Sequence, residues 1–414
     1  MLTHHSKRSR GISFNAIFSQ MNALAKEHHA VNLGHGFPDY PAPDFVKEAA
    51  IQAIESNGNQ YTSGRGEPEL RRAIAQRMQQ RYRVDYNPET DIIVTQGATE
   101  AIFTAMMGLV DPGEEVILFE PCYSTYKPAI QMVGGIPKFY SFFPPDWKLD
   151  ARRLESLFSD KTKVILLNTP HNPTGKVFSD AEMSLIARLC EKYNAIAIAD
   201  EVYDELVFDG RTHRPLCTYP GMYERTITVS TLGKTFSVTG WKVGWAIAPS
   251  ALTETILRMR LYATGSGTTP VQIAAARALN APVSFYRELK SEYEALRNYC
   301  YQMLADCGFT PFLPEGTFFL MADFSQFPTP GRSLANDVEF CEYLTKNMGV
   351  TAIPASTLYH ENLPSGTQMV RFAFCKQQAT LTEANRRLAK AAEFLPVHQS
   401  EKMRTSAISE NLSN

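Results

Sequence analysis

The chain has 414 residues, 44% of them hydrophobic, with 41 basic against 43 acidic side chains and a formal net charge of −2. At roughly 100 to 200 residues per domain, that length holds two or three units with substantial cores. The balanced charge gives no footprint for nucleic acid or anionic lipid, and no run approaches the ~20 apolar residues of a membrane span.

Near the start, His4, His5, Lys7, Arg8 and Arg10 are followed by no apolar stretch before Gln20. A secretory leader is therefore not expected, and the expected location is cytoplasmic. The seven cysteines at 122, 190, 217, 300, 307, 341 and 375 are odd in number and form no Cys-x-x-Cys pair. They read as reduced packing thiols, not as a disulfide framework.

From Asp91 to about Arg260, short apolar runs alternate with helical stretches. The runs are Ile92 to Thr95, Val116 to Phe119, Val164 to Asn168, Ala195 to Ala199, Thr226 to Ser230 and Val243 to Ile247. They lack polar alternation, so both faces are expected to be buried in a mostly parallel sheet with helices on either side. Between them, Glu100 to Leu109, Asp180 to Tyr193 and Leu252 to Tyr262 read as helices, with Asp180 as an N-cap after Ser179. From about Val283 a long charged helix, Glu288 to Ala305, precedes strand-like segments at Thr317 to Ala322 and Met369 to Phe374. The expected division is an N-terminal arm over 1–45 that also forms part of the small domain, a large domain over 46–282 and a smaller α+β domain over 283–398. The polar stretch 399–414 is expected to be disordered.

In an open parallel sheet, ligands sit beyond the carboxyl ends of the strands. Gly97-Ala98-Thr99, Asn172, Asp200, and Thr231 with Lys234 each fall just after a predicted strand, so they can converge on one crevice. Gly233-Lys234-Thr235 mimics the end of a phosphate-binding P-loop, but Thr228 stands where its first glycine belongs. Gly34-His35-Gly36 and Gly265-Ser266-Gly267 both lack the third glycine of a dinucleotide fingerprint, because Asp39 and Pro270 occupy those places. No His-Glu-x-x-His or Cys/His cluster suggests a metal.

What remains is an ordered set: Asn-Pro-Thr-Gly at 172–175, Ala-Asp-Glu-Val-Tyr at 199–203, and Lys234 with Lys242 in the stretch 229–244. A lysine amine can hold an aldehyde cofactor, a carboxylate can keep a pyridine nitrogen protonated, and Asn and Tyr can hydrogen-bond a ring oxygen. This pattern resembles the fold type I, class I aminotransferases, from about Asn32 to Arg371. Within that family, residues 31–39 and 233–245 look like the branch containing kynurenine, glutamine and methionine aminotransferases.

The resemblance implies pyridoxal 5′-phosphate as cofactor and Lys234 as its Schiff-base lysine, with Asp200 on the pyridinium nitrogen. It puts Asn172 and Tyr203 at the ring oxygen and Tyr123 stacked on the ring. For the phosphate it implies the turn Gly97, Ala98 and Thr99, the Thr231 hydroxyl and Lys242, since helix-start amides and a cation suit a dianion. Tyr61 would reach the phosphate of a neighbouring subunit, making the active unit a homodimer. Arg371 would grip the substrate α-carboxylate with its planar fork, helped by Gly36 and Asn172. Lys242 stands where the aspartate-specific branch has an arginine, and Thr231 where serine is frequent. Cys122, beside Tyr123, reads as a small filler.

The expected reaction is ping-pong transfer of an α-amino group to a 2-oxo acid. Ile17, Phe18, Phe37, Tyr61 and Tyr123 are the pocket candidates. Their apolar and aromatic character favours methionine, glutamine or aromatic donors over aspartate. A β-lyase acting on cysteine conjugates would use the same lysine and cofactor. A non-catalytic regulator on this scaffold would need an appended DNA-binding module, for which the short arm before Val31 gives no support.

Overall fold

The computed structural model describes residues 6, 16–330, 334–360 and 368–392. The stretch 399–414 and the basic residues before Gly11 named above lie outside the described residues. Strands are numbered in chain order: β1 Val31–Asn32, β2 Ile92–Gln96, β3 Glu115–Glu120, β4 Ile136–Ser141, β5 Thr162–Asn168, β6 Ile196–Asp200 and β7 Thr226–Thr231. They continue as β8 Val243–Ile247, β9 Thr310–Phe312, β10 Phe319–Asp323, β11 Val350–Thr351, β12 Ile353–Pro354 and β13 Met369–Ala373.

Seven strands form the central sheet in the order β2-β8-β7-β6-β5-β3-β4. Successive strand residues point to opposite faces, which explains the unbroken apolar runs. Val116, Leu118, Val164 and Leu166 enter a core shared with the helix Gly97–Leu109. Their neighbours Ile117, Phe119, Ile165 and Leu167 enter the core on the other side, with Met183, Ile186 and Leu189 of the helix Asp180–Lys192. All pairings are parallel except those of β8, which runs antiparallel to both β2 and β7. That reversal has a functional consequence. Lys242 immediately precedes β8, so it lies on the same rim as the residues that follow the carboxyl ends of β2, β5, β6 and β7.

Two sequence expectations need correction. Strand β4 was not among the predicted strands. The N-cap of the helix Asp180–Lys192 is Ser179, not Asp180: the Ser179 hydroxyl accepts from the Glu182 amide while the Glu182 carboxylate accepts from the Ser179 amide. This reciprocal pair satisfies two amide donors at once. Asp180 instead accepts from Tyr219 and Arg214.

The second sheet is antiparallel, in the order β12-β13-β10-β9. Arg371 lies on β13 opposite Met321 and Ile353. The chain after β1 is laced onto β11, which pairs with β1, and onto this sheet, because the Leu33 amide donates to the Thr351 carbonyl and the Ala373 amide donates to the Leu33 carbonyl. One apolar cluster joins Ile17 and Met21, the helix Val283–Asp306 and this sheet to Val202 and Tyr203, just past β6. Residues 34–37, Arg371 and the β6 rim are thereby fixed against one another.

Candidate active site

A cavity of about 450 Å³ opens on the rim of the central sheet, within the range of small-molecule sites, roughly 300–1,000 Å³. It brings together Gly36, Phe18, Gly97, Ala98, Thr99, Tyr123, Asn172, Asp200, Tyr203, Thr231, Lys234, Lys242 and Arg371. These sequence-predicted residues span more than three hundred positions of the chain.

At one end, Gly97 has φ +74°, a left-handed conformation open to glycine at little cost. It starts the helix Gly97–Leu109, whose first amides face outward without helical partners. A Cβ on Gly244 would fall 2.5 Å from the Gly97 carbonyl carbon and 2.6 Å from the Ala98 nitrogen, so β8 packs directly under this turn. The Lys242 amine lies 3.3 Å from where a Gly97 Cβ would be. Helix-start amides, a helix dipole and a lysine amine together form a cradle for a dianion. Thr231 is beside it, but its hydroxyl donates to the Val243 carbonyl at 2.7 Å and accepts from the Gly233 amide at 3.3 Å. Its proton is thus committed within the fold, and serving an anion requires the hydroxyl to rotate.

At the floor, Asp200 is buried and its pKa rises to about 6, chiefly because burial penalises the charged form. Tyr126 opposes this by donating to Oδ2 at 2.5 Å, and the Val202 amide donates to Oδ1 at 3.4 Å. Asn168 closes the frame: its side-chain amide donates to the Asp200 carbonyl at 2.9 Å while its Oδ1 accepts the Asn172 amide at 2.7 Å. Sequence reasoning missed both Tyr126 and Asn168. The available signal was spacing, three residues after Tyr123 and four before Asn172. Tyr126→Phe deletes the donor that favours the carboxylate, so Asp200 ionises at higher pH. A hydrogen bond to a charged group is worth about 1.5–3 kcal/mol, so in the cofactor-free protein the Asp200 carboxyl titration, followed by isotope-edited infrared spectroscopy, moves upward by at least about one pH unit.

Lys234 projects from the short helix Leu232–Thr235, with Nζ 5.6 Å from the Tyr203 ring centre and 5.2 Å from that of Phe318. Its pKa is brought down to about 8, chiefly by desolvation, with Arg371 and Lys242 also lowering it against Cys375 and Asp200. A lysine with such a pKa supplies neutral, nucleophilic amine near neutral pH. Burial holds the Tyr203 phenol protonated, as a hydrogen-bond donor.

Arg371 closes the opposite wall. Its guanidinium is 4.2 Å from the Phe319 ring centre and 5.4 Å from that of Phe18. Nη2 donates to the Gly34 carbonyl at 3.0 Å and Nη1 to the Asn172 Oδ1 at 3.3 Å, while Nε is buried with no partner. A buried unpaired donor on a cation calls for an anion. Gly36 is a steric requirement, since a Cβ there would meet the Phe319 ring at 2.4 Å.

Phe37 and Tyr123 line the cavity, but two pocket candidates do not. Ile17 is 9% exposed and belongs to the apolar core, because its helix turns Phe18 to the cavity instead. Tyr61 is 95% exposed and borders a separate groove formed with Leu261 and residues 264–268. All seven cysteines are free and buried, Cys122 among them.

The desolvated amine, the buried carboxylate below it, the anion cradle and the orphaned guanidinium nitrogen suit a phosphorylated pyridine aldehyde carrying an amino acid. Residues 28–388 match the family described as aminotransferase class I and II. The chain belongs to that family and is a pyridoxal-phosphate-dependent aminotransferase. It is 38% identical to kynurenine–oxoglutarate transaminase 3 of Mus musculus over 92% of this chain and 88% of that protein. Its fold is similar to that of a methionine aminotransferase of Escherichia coli, with TM-score 0.88 and 36% identity over 93% of this chain and 99% of that one. It is also similar to N-succinyldiaminopimelate aminotransferase of Mycobacterium tuberculosis, with TM-score 0.89 and 40% identity over 94% of this chain and all of that one. Among the described residues no helix is long and apolar enough to cross a membrane, and no cluster of side chains could hold a metal ion.

Proposed function

We propose that this enzyme moves the α-amino group of an apolar, sulfur-containing or aromatic amino acid to a 2-oxo acid by a ping-pong route. The observation that carries this reading is the composition of the cavity wall around Arg371. Phe18, Phe37, Tyr123 and Phe319 belong to it, beside His35 and Asn172, and among the described residues Arg371 is the one guanidinium that lines the cavity. Among the described residues no second arginine lines the cavity for a side-chain carboxylate.

Pyridoxal phosphate, when bound, supplies an aldehyde for a covalent link to an amine and a cationic ring that withdraws electrons from the substrate α-carbon. Lys234 would hold that aldehyde, and its Nζ would take the α-carbon proton of the substrate. Asp200, braced by Tyr126, would set its negative charge against the ring nitrogen. Asn172 and Tyr203 would donate to the ring oxygen, with Tyr123 against the ring. Gly97, Ala98, Thr99, Thr231 and Lys242 would hold the phosphate. Arg371, with Asn172 and the Gly36 backbone, would hold the substrate α-carboxylate.

The active unit in this reading is a homodimer with Tyr61 contributed to the neighbouring site. The exposure of Tyr61 at 95%, Tyr262 at 94% and Leu261 at 45% supports it, since such apolar surface on one face marks a partner contact. The seven free, buried thiols support a reducing, cytoplasmic setting.

The test is 2-oxo acid formation across a panel of amino donors. Methionine, glutamine and aromatic donors are expected to be turned over within roughly 200-fold of one another, because apolar pockets discriminate small differences only weakly. Aspartate is expected to fall below all of them. Preference for aspartate would overturn the reading.

A further inference from the structure

His35 lines the same cavity and is not used by the reaction described above. We infer that His35 is a specificity-determining residue, accepting a hydrogen bond from an N–H group at the end of the substrate side chain, a carboxamide or an arylamine. The inference rests on the aminotransferase reading and deepens it.

The ring is held in place from several sides. The His35 amide donates to Asn32 Oδ1 at 3.2 Å and its carbonyl accepts from Lys376 Nζ at 3.2 Å. The imidazole meets Phe37 edge-on at 5.4 Å and Phe18 at 6.4 Å between ring centres. Its Nε2 is 3.3 Å from the Phe18 carbonyl oxygen. A carbonyl can only accept, so Nε2 carries the hydrogen, and in the neutral ring Nδ1 is left as a lone-pair acceptor.

The ring is neutral at pH 7. Burial lowers its pKa, and the cations Lys376, Arg371 and Lys26 lower it further, against the Phe18 carbonyl. The cavity's other charged groups already have tasks: Lys234 and Asp200 at the cofactor ring, Lys242 at the phosphate, Arg371 at the α-carboxylate. The Arg371 guanidinium and the imidazole both pack on the Phe18 ring, 5.4 Å and 6.4 Å from its centre, so the imidazole stands on the wall next to the carboxylate grip. A side chain ending in N–H gains a bond there, and a thioether fits without one. A terminal carboxylate would face a lone pair, not a donor.

The experiment compares kcat/KM for glutamine and methionine in the holoenzyme, His35→Phe and His35→Asn. It also measures Kd for the corresponding α-methyl amino acids, which bind but carry no α-proton. Phenylalanine can keep the edge-on ring contacts with Phe18 and Phe37 and removes the acceptor, whereas the asparagine oxygen can occupy the place of Nδ1. The glutamine-to-methionine ratio is expected to fall roughly tenfold in His35→Phe, the worth of one neutral hydrogen bond. His35→Asn should recover most of it, with the Kd ratios following. A ratio unchanged in His35→Phe, or parallel losses for both amino acids that His35→Asn does not reverse, overturns the assignment. A wild-type enzyme that processes neither amino acid overturns the substrate reading above, and this assignment with it.

Discussion

Lys234→Ala yields a chain that folds and still takes up pyridoxal phosphate, yet transaminates at least ~10⁴-fold more slowly, the upper end of what one positioned proton-transfer group contributes. Uptake survives because the Gly97–Thr99 turn, Lys242 and Asp200 do not depend on the lysine. Turnover fails because, among the described residues, Lys234 is the lysine whose amine lies over the Tyr203 ring. The pKa of about 8 gives the prediction a pH signature. Below pH 8 the amine is increasingly ammonium and cannot attack an aldehyde, and above it the nucleophile is free. The rate at which the wild-type apoenzyme acquires cofactor absorbance is therefore expected to rise through pH 8 and level off. Lys234→Arg, which retains charge without a nucleophile, is expected to show no such rise.

Asp200→Asn separates stability from function. A buried acid whose pKa rises from 3.8 to about 6 is destabilised in its charged form. The cost is absent below pH ~4, grows between pH 4 and 6, and is complete above that. Two pH units correspond to about 3 kcal/mol. At pH 7.5 the cofactor-free Asp200→Asn protein is expected to melt several degrees above wild type, and at pH 4 the difference should vanish. With cofactor, turnover should drop about 10² to 10⁴-fold, because a neutral amide does not hold the ring nitrogen protonated. A melting difference independent of pH would mean that Asp200 carries no buried charge. Full activity in Asp200→Asn would remove its role at the ring.

Much of this arrangement was legible in the sequence because each apolar run of the central sheet is buried on both faces. Val164 to Asn168 shows no polar alternation, and the site residue Asn172 follows four positions past its carboxyl end. Strand β4 was not legible for the opposite reason. As an edge strand reading Ile-Pro-Lys-Phe-Tyr-Ser, it is exposed or half-buried over its first three residues and carries a proline and a lysine. The antiparallel direction of β8 was also hidden, since local sequence does not encode strand direction, although it explains why Lys242 reaches the cradle. Ser179 and Asp180 are both good caps, and the deciding clue was Glu182, three residues after the serine. Ile17 and Phe18 are equally apolar, so only the rotational phase of their helix told core from cavity. Tyr126 and Asn168 act through Asp200 and Asn172, and residues that brace others leave no motif of their own.

The most direct test of the central claim is reduction of the holoenzyme with borohydride, followed by peptide mapping by mass spectrometry. Borohydride makes permanent whatever imine joins the cofactor to the protein. The account predicts one modified peptide, the one spanning 229–244, with the pyridoxyl group on Lys234. A label on Lys242 or another lysine, or no label on a yellow protein, would contradict it.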